Sequence, residues 1–308
     1  MRKLALWALA AGVFGGAVSA GEAAAEERER FKSAGAVFEV ERIRDIPYRN
    51  GDGADPVKHK LDLYLPRGVK GFPVLFFVHG GAWRSGDKRL YGMLGETFAG
   101  MGVGSVIINY RLSPKVRHPE HVKDVARAFA WTYRNIARYG GRPDRIFASG
   151  HSAGGHLVAL LATDETYLKA EELTAEALRG VIPMSGVYSV LPDALFQSVF
   201  GEDRAARRKA FPINHVHNGL PPFLILYAEK DLLTIDKMSV QFYRKLCGAE
   251  CRAKVMEVKD RNHITIIVGL MVPTDPATQA ILDFIRTYAE LPTPEAGDAG
   301  GDGDRADD

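Results

Sequence analysis

Gly150-His151-Ser152-Ala153-Gly154 has the types and spacing of a segment built to present a nucleophile. An apolar, strand-like run (Ile146-Phe147-Ala148) precedes it and a helix-like run (Leu157–Thr163) follows. In a G-x-S-x-G turn of this kind the serine sits where a strand breaks sharply into a helix. The bend exposes its hydroxyl, and glycines two residues to either side let neighbouring backbone pass close by. Ser152 is therefore the candidate nucleophile.

A second motif lies upstream. Phe72–Val78 reads as a buried strand and ends in His79-Gly80-Gly81-Ala82-Trp83. Acyl transfer through a tetrahedral intermediate needs backbone N–H donors aimed at the developing oxyanion, and glycines let the main chain approach it. Gly80 or Gly81 would supply one side of such an oxyanion hole, and Ala153, just after the nucleophile, the other. Trp83 either walls a substrate pocket or packs in the core.

With these two motifs the chain resembles α/β-hydrolases of the esterase/lipase group that carry an HGG-type oxyanion motif. His79–Trp83 and Gly150–His156 are similar to arylformamidase-like and carbohydrate-esterase-like members, as are Tyr110-Arg111-Leu112 and Phe211–Val216. The hormone-sensitive-lipase branch usually has Asp before the serine, where this chain has His151. The resemblance spans roughly residues 36–290 and implies one catalytic domain with a mostly parallel, twisted sheet of about eight strands and helices on both faces.

In that fold the nucleophile, acid and histidine follow one another along the chain. Asp231 follows the apolar run Phe223–Ala228, and His263 is the histidine that lies beyond the last strand-like run, Ala253–Val258. Asp231 would hold the imidazole tautomer, and His263 would take the Ser152 proton and return it to the leaving group. Asp236 suits a helix cap better, and Asp260 comes very early in its loop. Of the nine histidines, His59, His118, His121, His215 and His217 read as surface or loop residues. His79, His151 and His156 belong to the turns themselves and would shape them. Tyr110 and Arg111 could hold the oxyanion loop.

The elements that must position these residues follow from periodicity. Phe38–Ile43 and Lys60–Leu65 alternate as strands around the turn Gly51-Asp52-Gly53. Strands at 72–79, 104–110, 145–150, 181–186, 223–228 and 253–258 alternate with helices at 90–99, 119–139 and 276–288, as expected for a parallel sheet. In the long helix Val122, Val125, Ala126, Phe129, Trp131, Ile136 and Ala137 face inward. Residues 189–220 lack strand character and read as a small cap beside the site.

Composition is that of an ordinary globular protein, 46% hydrophobic and 25% charged with a formal charge of +2. No dense basic stripe points to nucleic acid. Arg2-Lys3, the apolar Leu4–Val18 and the small residues Val18-Ser19-Ala20 read as a secretory signal over residues 1–20, which predicts a periplasmic or secreted protein with no stable membrane span after cleavage. Residues 292–308 hold six acids against one arginine and read as a disordered tail. Cys247 and Cys251, if helical, lie within disulfide reach, and an oxidising compartment would permit the bond.

The expectation is an exported serine hydrolase that needs no cofactor or metal and cleaves a carboxylic ester, either of a short acyl group or of an acylated carbohydrate. Cleavage of an N-formyl arylamide is the second reading. A non-catalytic binding scaffold is the third, and such scaffolds typically lose the nucleophile, base or oxyanion glycines that this chain has in order. Oligomeric state and acyl specificity leave no mark in the sequence.

Overall fold

The computed structural model describes residues 38–189 and 194–292. The expected signal segment, the lead-in to residue 35 and the tail beyond Pro292 lie outside these residues.

Eight strands form one sheet in the order β1-β2-β4-β3-β5-β6-β7-β8. They are β1 (Val40–Pro47), β2 (Lys60–Pro66), β3 (Phe72–Val78), β4 (Gly104–Ile108), β5 (Gly141–His151), β6 (Gly180–Met184), β7 (Phe223–Lys230) and β8 (Ala253–Asn262). β2 runs antiparallel to both β1 and β4, and every pairing from β4 onward is parallel. A parallel strand buried on both faces must be apolar throughout, because it has no solvent side for alternation to mark. Phe72–Val78 is apolar at every position for that reason.

The pleat of β3 feeds two cores. Val74, Phe76 and Val78 pack on one side with Val125, Leu157 and Phe242. Leu75 and Phe77 pack on the other with Leu94, Phe98 and Ile281. The first core is covered by helices α2 (Glu120–Asn135), α3 (Ala153–Thr163) and α6 (Ile235–Gly248), the second by α1 (Gly92–Gly100) and α8 (Pro276–Tyr288). Two short helices, α4 (Ala194–Phe200) and α5 (Arg204–Lys209), and a 3-10 turn over Pro212–His215 occupy the stretch expected to cap the site. A further short helix, α7 (Thr265–Gly269), follows β8.

Several sequence expectations need correction. The long helix ends at Asn135 and tightens into a 3-10 turn over Ile136–Tyr139, so Ala137 is exposed and Trp131 only half-buried. His59 and His121 are not surface residues but are buried. The His59 ring is drawn inward because Nδ1 accepts the Asp55 N–H at 2.7 Å while Nε2 lies 3.1 Å from Asp124. Asp236 lies in the first turn of α6 and is not its cap, which is Thr234. Cys251 lies beyond the end of α6, so the helical spacing assumed for the cysteines does not hold. Both thiols are free, and Cys251 Sγ donates to the His217 carbonyl at 3.1 Å.

Candidate active site

Ser152, Asp231, His263 and the His79-Gly80-Gly81 turn each follow the carboxyl end of a parallel strand, the edge at which open α/β sheets hold their ligands. β3 delivers His79-Gly80-Gly81, β5 delivers Ser152, β7 delivers Asp231 and β8 delivers His263. The register Val78↔Gly150 brings the first two side by side.

Ser152 sits at φ 55, ψ −115, a backbone conformation that side chains other than glycine adopt rarely and at a cost of about 1–3 kcal/mol. Two bonds hold it there: its N–H donates to Met184 O at 2.9 Å, and its carbonyl accepts from His156 N at 3.0 Å. The flanking glycines are required by contact. A Cβ on Gly154 would lie 2.0 Å from the Val78 carbonyl oxygen, and one on Gly150 would lie 2.5 Å from the Gly154 backbone. The turn is therefore pressed against β3 backbone to backbone.

Ser152 Oγ lies 3.0 Å from His263 Nε2, and His263 Nδ1 lies 2.6 Å from Asp231 Oδ1. Ser152 is 8% and His263 5% exposed, and the Asp231 side chain is buried. Asp231 is held by four protein donors. Ser185 Oγ donates to Oδ2 at 2.6 Å, Ala228 N–H to Oδ2 at 3.0 Å and Leu232 N–H to Oδ1 at 2.8 Å, in addition to His263. Burial pushes this carboxyl up, but the bonds from His263, Ser185 and Ala228 outweigh it and hold it below the usual carboxylate range. An ionised carboxylate therefore faces Nδ1–H, which leaves Nε2 bare to accept a proton from Ser152. A hydroxyl, a base within reach and a group that orients the base are the three parts that nucleophilic catalysis needs.

The His79–Trp83 loop is tightly braced. Tyr110 stacks on the His79 ring at 4.5 Å, and its hydroxyl donates to the His79 carbonyl at 3.1 Å. Gly81 (φ +112) turns its carbonyl to accept from Arg84 N and Ser85 N, both at 3.0 Å. Gly80 has no positive φ. It is glycine because a Cβ there would lie 2.9 Å from the His151 carbonyl and 3.2 Å from Ser152 Cβ. Ala153 opens α3, so its N–H has no acceptor within the helix.

Tyr110 thus braces the His79–Trp83 loop, whereas Arg111 binds Asp124 and Glu120 of α2. Trp83 is 2% exposed and enclosed by His156, Phe196 and Phe200, and its indole N–H donates to His156 Nδ1 at 3.2 Å. Of the two roles left open for Trp83, the geometry favours packing beneath the cap. One residue at the site carries no motif, Ser185. For Ser185 the available signal is its place, one residue past a buried strand on the edge that also carries Ser152. Among the described residues no group of three or more His, Cys, Asp or Glu side chains is arranged to hold a metal ion.

The sheet order, together with a serine turn at the carboxyl end of β5, defines an α/β-hydrolase. The chain belongs to the BD-FAE family, whose model matches residues 61–246 and so includes Ser152 and Asp231 but stops short of His263. It is 32% identical over 263 residues to Esterase LipQ of Mycobacterium tuberculosis, an alignment covering 78% of this chain and 61% of that protein. It is 28% identical over 238 residues to a probable isoprenylcysteine alpha-carbonyl methylesterase, ICMEL1 of Arabidopsis thaliana, covering 70% and 50%. The chain thus spans half to three fifths of the length of these curated relatives. Among solved structures, Esterase B from Lactobacillus rhamnosis superposes with a TM-score of 0.70 at 20% identity, covering 87% of this chain and 91% of that one. A truncated carbohydrate esterase from gut microbiota superposes at 0.69 and 21% identity, covering 83% and 98%. At such identities the likeness is one of fold.

Proposed function

We propose that this chain is a serine carboxylic ester hydrolase working through an acyl-enzyme intermediate. The observation that carries the reading is the hydrogen-bonded series Ser152 Oγ, His263 Nε2, His263 Nδ1, Asp231 Oδ1 at 3.0 and 2.6 Å. Ser152 Oγ attacks the ester carbonyl carbon while His263 Nε2 takes its proton, and Asp231 stabilises the imidazolium. The N–H groups of Ala153 and of Gly80 or Gly81 receive the oxyanion. Collapse breaks the bond to the alcohol, which leaves with the proton from Nε2. Water, deprotonated by the same nitrogen, then releases the carboxylate and restores Ser152.

The relatives named above are described as esterases or methylesterases, which supports ester over formamide cleavage. A short acyl ester or an acylated carbohydrate is the proposed substrate, and the sequence of residues 1–20 supports export.

The test is hydrolysis of p-nitrophenyl esters of rising chain length, an acetylated sugar, a feruloyl ester and an N-formyl arylamide, by wild type and by Ser152→Ala. Ester turnover that vanishes in the variant is expected, with fluorophosphonate labelling of Ser152. A preference for the formyl amide would move the chain to the formamidase side. Full activity in Ser152→Ala would overturn the nucleophile assignment.

A further inference from the structure

His263 is delivered by β8, an edge strand whose one strand neighbour in the sheet is β7, whereas Ser152 follows β5. Two strands stand between them, so pairing within the sheet sets the distance from base to nucleophile only through a relay of three ladders. Proton transfer tolerates little error in that distance: misplacing a catalytic group by about 1 Å can cost about a hundredfold in rate. Beside the Ser152–His263 contact itself, the His151 side chain also spans the gap. His151, the last residue of β5, places Nε2 2.8 Å from the main-chain carbonyl oxygen of His263, and the two rings lie 4.7 Å apart, tilted by 46°.

We propose that His151 is a positioning residue for the reaction, a strut from the serine turn to the base loop that holds the His263 main chain, and with it Nε2, at working distance from Ser152. The assignment rests on reading Ser152 and His263 as nucleophile and base.

The strut is anchored at both ends. His151 is fixed in the ladder opposite Met184, whose carbonyl also holds Ser152 N–H. Because a carbonyl oxygen can only accept a hydrogen bond, His151 must donate from Nε2–H, which fixes that tautomer and leaves Nδ1 bare. Nδ1 faces the oxyanion loop, where a Cβ on Gly80 would lie 3.0 Å from it. Thus the ring wedges between that loop and the base, and position 80 must be glycine to admit it. The ring must also stay neutral, since a second imidazolium beside His263 would oppose the charge that forms in the reaction. Burial, reinforced by the neighbouring His263, pushes His151 down to about 3, with His263 and Asp231 the titratable groups acting on it.

The experiment compares His151→Gln, His151→Asn and His151→Leu with wild type. A glutamine amide nitrogen falls near the place of Nε2, an asparagine amide falls short of it, and leucine fills the space without donating. His151→Leu and His151→Asn should lose about a hundredfold in kcat with KM near the wild-type value, and His151→Gln should restore most of the rate. Wild-type kcat in His151→Leu would overturn the proposal, as would a folded His151→Gln as slow as leucine. A second readout needs no variant to be active. In the ¹⁵N spectrum of histidine-labelled wild type, with the His151 ring assigned by its loss in His151→Gln, a neutral Nε2–H tautomer retained at pH 5 is expected. An Nδ1–H tautomer would overturn the strut. If wild type lacks Ser152-dependent turnover, the proposed function fails, and the spectrum still decides whether the strut exists.

Discussion

Ser185 Oγ donates to Asp231 Oδ2 at 2.6 Å, so the residue just past β6 holds the carboxylate that follows β7. Ser185 is buried and sits at φ +47, a strained conformation that aims its short side chain across the strand end. Removing it leaves Ala228 N–H as the remaining protein donor to that oxygen. Ser185→Ala should therefore lower kcat/KM by about ten- to a hundredfold, the worth of one hydrogen bond to a charged group, without changing the fold. Steady-state kinetics beside a thermal melt check it, and an unaltered kcat/KM would show that the bond does no work in turnover.

Asp231 itself is expected to matter far more. An amide in its place can offer Nδ1 an N–H where an acceptor is needed, so the imidazole turns its proton toward Ser152. Asp231→Asn should lower kcat by about four orders of magnitude with little change in KM. The neighbouring carboxylates Asp236 and Asp260 make no contact with His263 in the hydrogen-bond network described, and Asp236→Asn or Asp260→Asn should keep near-wild-type rates. Loss of activity in either one, with Asp231→Asn still active, would move the acid.

Backbone crowding gives a contrast between two glycines. Gly154→Ala forces a Cβ to within 2.0 Å of the Val78 carbonyl, and neither rigid strand nor helix start can yield. It should destabilise the fold by about 3 kcal/mol or more and give little soluble protein. Gly248, in the last turn of α6, meets nothing within 4 Å, and Gly248→Ala should be neutral or stabilising by up to about 1 kcal/mol. Equal melting temperatures for the two variants would contradict the close approach.

Acid should unfold the chain early. Burial pushes His79, His118 and His121 down to about 4, and His151 and His156 to about 3, from an ordinary value of 6.5. Depressed folded values mean the unfolded chain binds more protons throughout that window. The stability these rings contribute is complete above pH 6.5 and is lost as pH falls toward 4 and then 3. Melting temperature should drop steeply over pH 6.5 to 4, with proton uptake on unfolding of up to five. A flat profile there would mean that these rings are already charged in the native state.

The site was legible in sequence where a backbone demand left a mark in residue type. Gly154 must lack a Cβ beside Val78, and Gly80 must lack one beside His151, so both motifs spell out close approaches that only glycine permits. Asp231 and His263 were legible from chain order, each lying just past an apolar run. Ser185 was not, because a serine after a strand looks the same whether it holds a carboxylate or meets water. His59 and His121 mislead for a related reason: a polar ring reads as a surface or loop residue, yet each is buried with its partner inside, Asp55 for one and Ser113 for the other. Trp83 left two roles open, and its burial under Phe196 and Phe200 depends on a packing partner far along the chain that local pattern cannot reveal.

The place of His263 at the end of β8 has a consequence in time. A ribosome synthesises Ser152 first and reaches His263 as the 111th residue after it. Until β8 docks on β7, the hydroxyl has no proton acceptor, and the nascent chain, however much of its sheet has formed, carries an inert serine. On the proposed mechanism, the nucleophile meets its base only once β8, the far edge of the sheet, has been added.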